Sequence, residues 1–301
     1  MIKITVIGVG SLGGFVTAKL IEAGYPVQLM VSANSRLLEL SQLHVIGKEP
    51  FQVPYQNIIS NSQHISGDII FITIKSVSNP LLFASLSHLK NKKLILLQNG
   101  IGEEELLAEA IDDSNKVLGA ISHIKVTMHA DNKIEVQNDQ LDFIYADLNG
   151  TESDPSLETV IREVFPQVEH RPDIYQVRFP KLMVNAACNA PSVIYNLSMY
   201  ELTQAPIAKE MIHLLAKEVR QVAKVYGVYL EKKNMDDILD MLACEDYRSA
   251  YFSMKLDYDG KRPMEIEAVY TNLLHMAKIR NIATPELVRV THILQTQFLH
   301  E

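Results

Sequence analysis

Apolar residues in the first half of the chain fall into short runs that alternate with helical patterns. Residues 4–7 and 27–31 form β-rich runs on either side of a helical pattern over residues 12–22. Residues 68–74 and 93–97 are almost continuously apolar. Strands of this kind are buried on both faces, as in a parallel sheet that is covered by helices. The alternation therefore predicts an α/β fold with a doubly wound sheet.

The strand pattern weakens in the middle of the chain and disappears after Pro172. Residues 117–145 hold strand-like pieces between polar turns, which we predict to extend the sheet with an antiparallel edge. A loop over 149–155 precedes a further helix over 156–165. We predict a sheet domain over 1–172 and an all-helical C-terminal domain over 173–301. The helical patterns in this second part cover residues 181–195, 207–226, 235–242, 264–281 and 286–299.

Composition and charge narrow the class of protein. Hydrophobic residues make up 47% of the 301 residues, enough for a packed core, and the formal net charge is -8. Scattered Lys and Arg in an acidic chain indicate neither nucleic-acid binding nor attraction to a membrane surface. No apolar run reaches the ~18 residues of a membrane span, and we expect no signal peptide. Because its two cysteines, Cys188 and Cys244, are isolated, we expect a cytoplasmic protein without disulfides.

A glycine-rich turn directly follows the first predicted strand. Its sequence, Gly8-Val9-Gly10-Ser11-Leu12-Gly13, opens the first predicted helix. The glycines allow a tight turn and a close approach of the backbone to a pyrophosphate, and the helix N-terminus supplies partial positive charge. An incidental turn is the alternative interpretation. The strand before the turn and the second strand after it favour a dinucleotide site in a Rossmann-type domain.

The end of the second predicted strand bears on the choice of cofactor. NAD-binding domains carry an acidic residue there, which holds the ribose hydroxyls. This chain has Val31-Ser32-Ala33-Asn34-Ser35-Arg36 instead. Without that carboxylate a 2′-phosphate is not repelled, and Ser32, Ser35 and Arg36 offer groups that bind it. We expect NADP (NADPH) as the cofactor, with NAD as the alternative; the alternative for Arg36 is a solvated side chain.

Two polar residues follow neighbouring strands of the predicted sheet. Lys75 comes directly after the run over 68–74, and Asn99 follows the run over 93–97. Ligands of open α/β sheets bind beyond the carboxyl ends of the strands. Alone, each residue is better explained as a strand-end lysine or a turn asparagine. Together, at matched strand ends, they predict a contribution to the cofactor crevice.

A polar stripe runs along a helix that is otherwise apolar. Lys181, Asn185 and Asn189 are spaced so that they share one helix face, and Pro180 suits a helix start. Polar groups on a buried face need partners, and a ligand can be one. The alternative is that the stripe faces solvent. Ser253 and Glu265 are unremarkable when each is taken by itself.

Taken together, these motifs resemble the ketopantoate reductase (2-dehydropantoate 2-reductase) family over residues 2–285. The resemblance implies a Rossmann domain, an all-helical domain and a site in the cleft between them. It also implies a 2-keto acid substrate, a place in pantothenate and coenzyme A biosynthesis, and a homodimer. The residues that carry it are Gly8, Gly10, Gly13, Ile74-Lys75, Gln98-Asn99-Gly100, Lys181, Asn185, Asn189, Ser253-Met254, Asp257 and the segment 260–266.

The resemblance also implies roles for particular side chains. Lys181 is the implied catalytic lysine, and Glu265 is the implied carboxylate that sets up the site. An ammonium stabilises the negative charge that builds on the carbonyl oxygen and delivers the proton. The implied substrate-binding residues are Asn99, Asn185, Asn189, Ser253 and Glu265, and the implied cofactor-binding residues are Gly8, Gly10, Ser11, Leu12, Gly13, Ser32, Arg36, Lys75 and Asn99.

Two departures from the family pattern keep a second hypothesis open. Ser32 stands where arginine is frequent in the family, and Met264 stands where threonine is frequent before the glutamate. The second hypothesis is a D-2-hydroxyacid dehydrogenase for branched or aromatic 2-keto acids, with NAD. A third hypothesis is a dinucleotide sensor without catalysis. The polar stripe with Lys181 argues against it, because sensing requires no proton donor. The ten histidines form no HxxxH or HExxH pair, so metal catalysis has little support, and Ser122-His123 lacks an elbow motif for a serine nucleophile.

Overall fold

The chain divides into two compact units in the computed structural model, which describes residues 2–298. Residues 2–98 and 103–177 form the first unit. Residues 99–102 and 178–298 form the second. The short segment 99–102, which follows a strand of the first unit, thus packs with the helices of the second.

The first unit is built on an eight-stranded sheet. Its strand order is β12-β11-β8-β7-β6-β1-β2-β5. All neighbouring strands are parallel except β8 and β11, which are antiparallel. This confirms the predicted doubly wound α/β fold and the antiparallel pair toward one edge. The strands that form it are β1 (Ile4–Ile7), β2 (Val27–Met30), β5 (Ile58–Ile59), β6 (Ile69–Ile72), β7 (Lys93–Leu97), β8 (Lys116–Ile121), β11 (Asp142–Asp147) and β12 (Gln167–His170).

The central strands are apolar because both of their faces are covered. Every residue of β1 and β6 is buried, and so are the last four residues of β7. Helices on the two sides account for this burial. The helices of this unit are α1 (Ser11–Glu22), α2 (Asn79–Ser85), α3 (Glu103–Ala110) and α4 (Pro155–Arg162).

A second, four-stranded sheet packs on α1. The prediction that the strands of residues 117–145 extend the first sheet is therefore wrong in part, because the strands at 126–128 and 133–136 belong to this second sheet. Its order is β4-β3-β10-β9, formed by β3 (Gln42–Ile46), β4 (Phe51–Pro54), β9 (Val126–Met128) and β10 (Lys133–Val136). In β3 only Leu43 and Val45 are buried among exposed polar neighbours. A Cβ atom on Gly14 of α1 would stand 2.8 Å from the Ile134 side chain, so the sheet lies close against the helix.

The second unit holds only helices among its described residues. Helix α5 (Ile174–Ile194) begins in the first unit and continues into the second. The helices that follow are α6 (Met199–Gln204), α7 (Pro206–Val225), α8 (Lys233–Leu242), α9 (Ser253–Asp259), a π-helical turn (Glu267–Thr271) that runs into α10 (Asn272–Ile279), and α11 (Pro285–Gln297). This confirms the predicted helical C-terminal part. The predicted end of the last helix at Leu299 lies outside the described residues.

One expectation about α5 is wrong. Pro180 does not start the helix; it lies inside it, because α5 begins at Ile174. Val177 and Phe179, which belong to the turns before Pro180, are fully buried. Burial of these apolar side chains offsets the backbone hydrogen bond that a proline removes from a helix. Pro191 is a second proline within the same helix.

Within residues 2–298, no helix is both long enough and apolar enough to cross a membrane.

Candidate active site

The turn between β1 and α1 requires glycine at two positions for steric reasons. Gly8 has a φ of 91°, a conformation that L side chains rarely adopt. A Cβ atom on Gly13 would collide with the carbonyl oxygen of Gly8 and the Thr73 hydroxyl. The Thr73 hydroxyl itself donates to the Gly8 carbonyl oxygen at 2.7 Å. The turn is therefore folded tightly onto the end of the sheet.

Gly10 differs from these two glycines because the space beside it is open. A Cβ atom on Gly10 would meet no atom of the described residues within 4 Å. Helix α1 starts at the next residue, and no described side chain caps its amino end. Backbone amides in the first turn of a helix and the helix dipole attract a phosphate group. The open approach at Gly10 and the uncapped helix therefore fit a dinucleotide pyrophosphate.

The two other residues predicted in this turn have different environments. The Ser11 hydroxyl accepts a hydrogen bond from the backbone amide of Met128 at 3.0 Å. This bond ties the start of α1 to β9 of the second sheet. Leu12 is half-buried and belongs to the apolar residues that pack against the core. The Ser11 side chain thus bonds to β9, and the Leu12 side chain packs against the core.

The region after β2 carries positive charge and no carboxylate. Ser32 and Arg36 are both exposed. Ser35 caps a short 3₁₀ turn, Arg36–Leu38, by accepting a hydrogen bond from the Leu37 amide. One Nη1 hydrogen of Arg36 is donated to the Ala130 carbonyl oxygen at 3.0 Å. A guanidinium has five N–H donors, so this bond orients the group and leaves donors for an anion.

Buried amide side chains hold the ends of β6 and β7, a feature that the sequence analysis missed. Asn79 donates to Gln98 Oε1 at 3.0 Å and to Glu103 Oε2 at 2.6 Å. Gln98 donates to the Ile74 carbonyl oxygen at 2.8 Å. Lys75, the next residue, is exposed and directly precedes the 3₁₀ turn Ser76–Ser78. The backbone that carries Lys75 is thus fixed by this network.

Asn99 belongs to the second unit because the backbone around it bonds to the π-helical turn and to α10. The Ile101 amide donates to the Ala268 carbonyl oxygen at 3.0 Å. Asn272 Nδ2 donates to the Ile101 carbonyl oxygen at 2.8 Å. Gly100 lies against Ala268 with a φ of 100°. The segment 99–102 is therefore held on the π-helical turn and α10, which follow Glu265 in the chain.

A small polar cavity in the second unit brings five of the predicted site residues together. The empty space between its side chains amounts to about 210 Å³, including the part that is open to solvent. Lys181 does not line it; this half-buried residue lies on α5 four positions before Asn185. At 3.6 residues per turn, side chains four positions apart share a helix face. The cavity is lined by Asn99, Asn185, Asn189, Ser253, Met254, Asp257, Glu265 and Val269.

One atom of this cavity has an unsatisfied hydrogen-bonding capacity. Asn189 is 3% exposed, and its Oδ1 atom has no hydrogen-bond partner among the described residues. A buried acceptor without a donor costs about 1–3 kcal/mol. A ligand that donates a hydrogen bond to this oxygen recovers that free energy. Asn189 Oδ1 is therefore a candidate contact for a polar ligand.

Two buried carboxylates line the same cavity. Glu265 is 8% exposed, and Asp257, which the sequence analysis gave no role, is 3% exposed. Arg262 Nε donates to Asp257 Oδ1 at 3.0 Å, and the Arg262 amide donates to the Asp257 carbonyl oxygen at 2.8 Å. Asp257 and Ser253 are four positions apart on α9, so this spacing was the signal in the sequence for their common face.

The glycine turn on a parallel sheet and the polar cavity in a helical unit define a class of protein, the NAD(P)-dependent oxidoreductases with a Rossmann-type domain. Within that class, the chain belongs to the ketopantoate reductase family. The family model for ketopantoate reductase PanE/ApbA matches residues 4–150. The model for the C-terminal part of ketopantoate reductase PanE/ApbA matches residues 173–297.

Individual relatives are similar over almost the whole chain. The 2-dehydropantoate 2-reductase of Nostoc sp. is 28% identical over 310 residues, covering 97% of this chain and 94% of the relative. The crystal structure of 2-dehydropantoate 2-reductase from Methylococcus capsulatus has a TM-score of 0.83 at 21% identity, covering 97% of this chain and 96% of that one. D-mandelate dehydrogenase with NADH and anilino(oxo)acetate has a TM-score of 0.81 at 17% identity, covering 97% of each chain. Both solved structures share this fold.

Proposed function

We propose that this protein reduces 2-dehydropantoate to (R)-pantoate with NADPH, a step toward pantothenate and coenzyme A. The observation that carries the proposal is the cavity in which Asn99, Asn185, Asn189 and Ser253 converge around an unpartnered buried oxygen. 2-Dehydropantoate has a hydroxyl group that donates a hydrogen bond and a carboxylate that accepts several. Neutral amide and hydroxyl side chains bind both groups without adding charge. The relatives named 2-dehydropantoate 2-reductase support the same substrate.

Lys181 is the general acid in this proposal. When bound, the reduced nicotinamide supplies the hydride that C2 of the keto acid accepts. Negative charge then builds on the carbonyl oxygen, and an ammonium at that oxygen stabilises the charge and donates the proton. Lys181 precedes Asn185 by one helical turn on α5, so one helix carries both the acid and a substrate-binding amide.

Glu265 has a supporting role toward Lys181. A carboxylate near a lysine favours the protonated, charged form of the lysine. Glu265 lines the cavity and is buried, so its charge is screened by solvent less than that of an exposed carboxylate. In the proposal Glu265 orients the Lys181 ammonium and contacts the substrate. Both residues belong to the second unit.

NADPH is the proposed cofactor. The first unit supplies most of the residues that bind it, and the second unit supplies Asn99. The amides that follow Gly10 bind the pyrophosphate. Ser32 and Arg36, both exposed, bind the 2′-phosphate of the adenosine ribose. Lys75 and Asn99 lie beside the nicotinamide end. The reaction requires the nicotinamide to reach Lys181 of the helical unit. We propose the division 1–172 and 173–301 as the cofactor-binding and substrate-binding domains of this enzyme.

A D-2-hydroxyacid dehydrogenase is the second candidate function. The similarity to D-mandelate dehydrogenase with NADH, together with Ser32 and the buried Met264 beside Glu265, favours it. Against it, an aromatic ring offers no hydrogen bonds to the asparagine side chains of the polar cavity. A site built for polar groups discriminates strongly against an analogue that lacks them.

An assay of two keto acids with two cofactors separates the candidates. The keto acids are 2-dehydropantoate and 2-ketoisocaproate, and the cofactors are NADPH and NADH. We expect kcat/KM for 2-dehydropantoate with NADPH to exceed that of every other combination by at least ~100-fold. If 2-ketoisocaproate is reduced as efficiently as 2-dehydropantoate, the first proposal is wrong. A preference for NADH would refute the cofactor assignment alone.

We also propose that the enzyme works as a cytoplasmic homodimer whose partner molecules are small keto acids rather than nucleic acids or membranes. The acidic net charge of -8 supports the absence of nucleic-acid and membrane partners, because phosphate-rich surfaces attract basic proteins.

A further inference from the structure

Helix α5 contains a proline on each side of the segment that carries the site residues. Pro180 comes directly before Lys181, and Pro191 follows Asn189 by two positions. A proline inside a helix has no amide to donate, and its ring crowds the carbonyl group four residues earlier. Pro191 therefore removes the bond to the Ala187 carbonyl, next to the bond that would join residues 190 and 186.

A tyrosine hydroxyl from another helical segment is inserted between residues 186 and 190. The Ala190 amide donates to Tyr270 Oη at 2.9 Å, and Tyr270 Oη donates to the Ala186 carbonyl oxygen at 3.0 Å. In an uninterrupted α-helix the amide of residue 190 donates directly to the carbonyl of residue 186. The hydroxyl thus stands between two groups that a regular helix joins. Side chains inserted in this way bend helices.

The environment of Tyr270 keeps this double hydrogen bond in place. The side chain is fully buried, and burial strongly raises the pKa of the Tyr270 hydroxyl. The hydroxyl therefore stays protonated at neutral pH and can donate to Ala186. Two backbone groups that would otherwise be buried without partners are satisfied by one side chain.

The turn that holds the Tyr270 hydroxyl also sets the distance between two side chains of the cavity, those of Asn185 and Asn189. Asn185 and Asn189 directly precede Ala186 and Ala190, the two residues that the hydroxyl separates. Tyr270 belongs to the π-helical turn Glu267–Thr271, which begins two residues after Glu265. Val269, in the same turn, lines the cavity. Single π-helical turns inside helices are frequent at functional sites. The same hydroxyl therefore connects the backbone beside Glu265 to the backbone beside Asn189.

We propose that Tyr270 is a positioning residue that sets the separation of the Asn185 and Asn189 carboxamides and so fits the cavity to its keto acid. The inference rests on the proposed function in one respect, that the ligand of the cavity is 2-dehydropantoate. Tyr270 itself does not line the cavity.

The substitution Tyr270→Phe tests the inference because it removes only the hydroxyl. Without it the Ala186 and Ala190 groups either bond directly or stay unpaired, and both results change the separation of the two asparagines. We expect KM for 2-dehydropantoate to rise by ~10-fold or more. The dissociation constant of NADPH should change by less than ~2-fold, since the glycine turn belongs to the other unit.

Tyr226→Phe is the matched control. Its hydroxyl also donates to a helix carbonyl of the second unit, that of Met276 at 3.2 Å, but it stands outside the cavity and outside α5. We expect wild-type KM for this variant. An unchanged KM in Tyr270→Phe would overturn the inference. A lower yield of folded protein alone would reduce the apparent kcat and leave KM unchanged, so KM separates positioning from stability.

Hydrogen exchange gives a readout that needs no assumption about the substrate. Peptides covering residues 186–190 should exchange faster or slower by at least ~10-fold in Tyr270→Phe and at the wild-type rate in Tyr226→Phe. If the wild-type enzyme does not reduce 2-dehydropantoate, the proposed function fails, and an unchanged exchange rate would separately overturn the role of Tyr270. If Tyr270→Phe does not fold, Pro191→Ala tests the same turn, because it restores an amide that closes the ladder. An unchanged KM in that folded variant would also overturn the inference.

Discussion

At the scale of single residues, the buried carboxamide oxygen of Asn189 is the most informative feature for the ligand of the cavity. Its oxygen is buried and has no donor among residues 2–298. Asn185 and Ser253 line the same cavity and are more accessible to solvent. A protein that binds nothing at this place would gain stability from an apolar side chain there. We therefore propose that the asparagine serves a ligand, and we expect its substitution to affect binding rather than folding.

Asn189→Ala should raise KM for 2-dehydropantoate by ~10- to 100-fold, because a substrate hydroxyl loses its buried acceptor. Steady-state kinetics with varied keto acid and saturating NADPH measure this effect. Asn234→Ala, an exposed asparagine on α8, is the control and should behave as the wild type. A KM within twofold of the wild type in Asn189→Ala would show that this oxygen does not face the substrate.

Arg36 tests the cofactor assignment. Arg36→Ala should raise the dissociation constant of NADPH by ~10-fold or more and that of NADH by less than ~2-fold, because only NADPH carries the 2′-phosphate. Fluorescence titration with the two reduced cofactors measures both constants. Arg162→Ala, an exposed arginine on α4 that pairs with Glu158 at 3.2 Å, controls for the loss of one positive charge. Equal weakening of both cofactors would mean that Arg36 does not contact the phosphate.

At the scale of elements, the first unit shows which parts of a fold a sequence pattern can predict. Strands β1, β6 and β7 were predictable because burial on both faces leaves continuous apolar runs. Strands β3, β4 and β12 were not, because each buries few residues and alternates with exposed polar side chains. Their positions depend on α1 and β11, against which they pack or pair, and not on their own sequence.

The amino end of α4 gives a test of stability against pH. Asp154 caps the helix by accepting from the Leu157 amide at 3.0 Å and pairs with Lys93 at 2.6 Å. Partial burial acts to raise the pKa of Asp154, but hydrogen bonds from Lys93, Ser156 and Leu157 outweigh it and lower the pKa to about 2. A lowered carboxyl pKa stabilises the fold above the unfolded value of ~3.9, and this contribution is lost as the pH falls from ~4 to ~2.

Asp154→Asn should therefore unfold with a free energy lower by about 1–2 kcal/mol at pH 7. Its stability should also fall less than that of the wild type between pH 4 and pH 2. Urea denaturation at several pH values measures both effects. Asp113→Asn, at an exposed loop position, should follow the wild-type curve. A parallel pH dependence of Asp154→Asn and the wild type would contradict the assigned pKa.

The candidate site, like the strands, could be predicted only in part from the sequence. The stripe of Lys181, Asn185 and Asn189 was visible because helical spacing is fixed by local geometry. The insertion of Tyr270 into α5 was not, because it joins residues 80 or more positions apart in the sequence. The buried pair of Asn79 and Gln98 was equally invisible, since only the folded sheet brings the two amides within 3.0 Å.

At the scale of the whole molecule, the proposed reaction divides its tasks between the two units. The glycine turn, Ser32, Arg36 and Lys75 belong to the unit formed by residues 2–98 and 103–177. Lys181 and the asparagine cavity belong to the other. In this proposal the glycine turn of one unit binds the cofactor and Lys181 of the other donates the proton, so a substitution of Lys181 should leave cofactor binding intact. Substitution of Lys181 tests this most directly, because it should lower turnover without changing NADPH binding.

The measurement that tests the account most directly is the rate of NADPH oxidation by Lys181→Ala with saturating 2-dehydropantoate. We expect kcat to fall by at least ~100-fold, because the carbonyl oxygen loses its proton donor, while the dissociation constant of NADPH stays within ~2-fold of the wild type. Lys217→Ala, an exposed lysine on α7, should keep the wild-type rate. A kcat for Lys181→Ala within a few fold of the wild type would contradict the account, since the reaction would then have another acid.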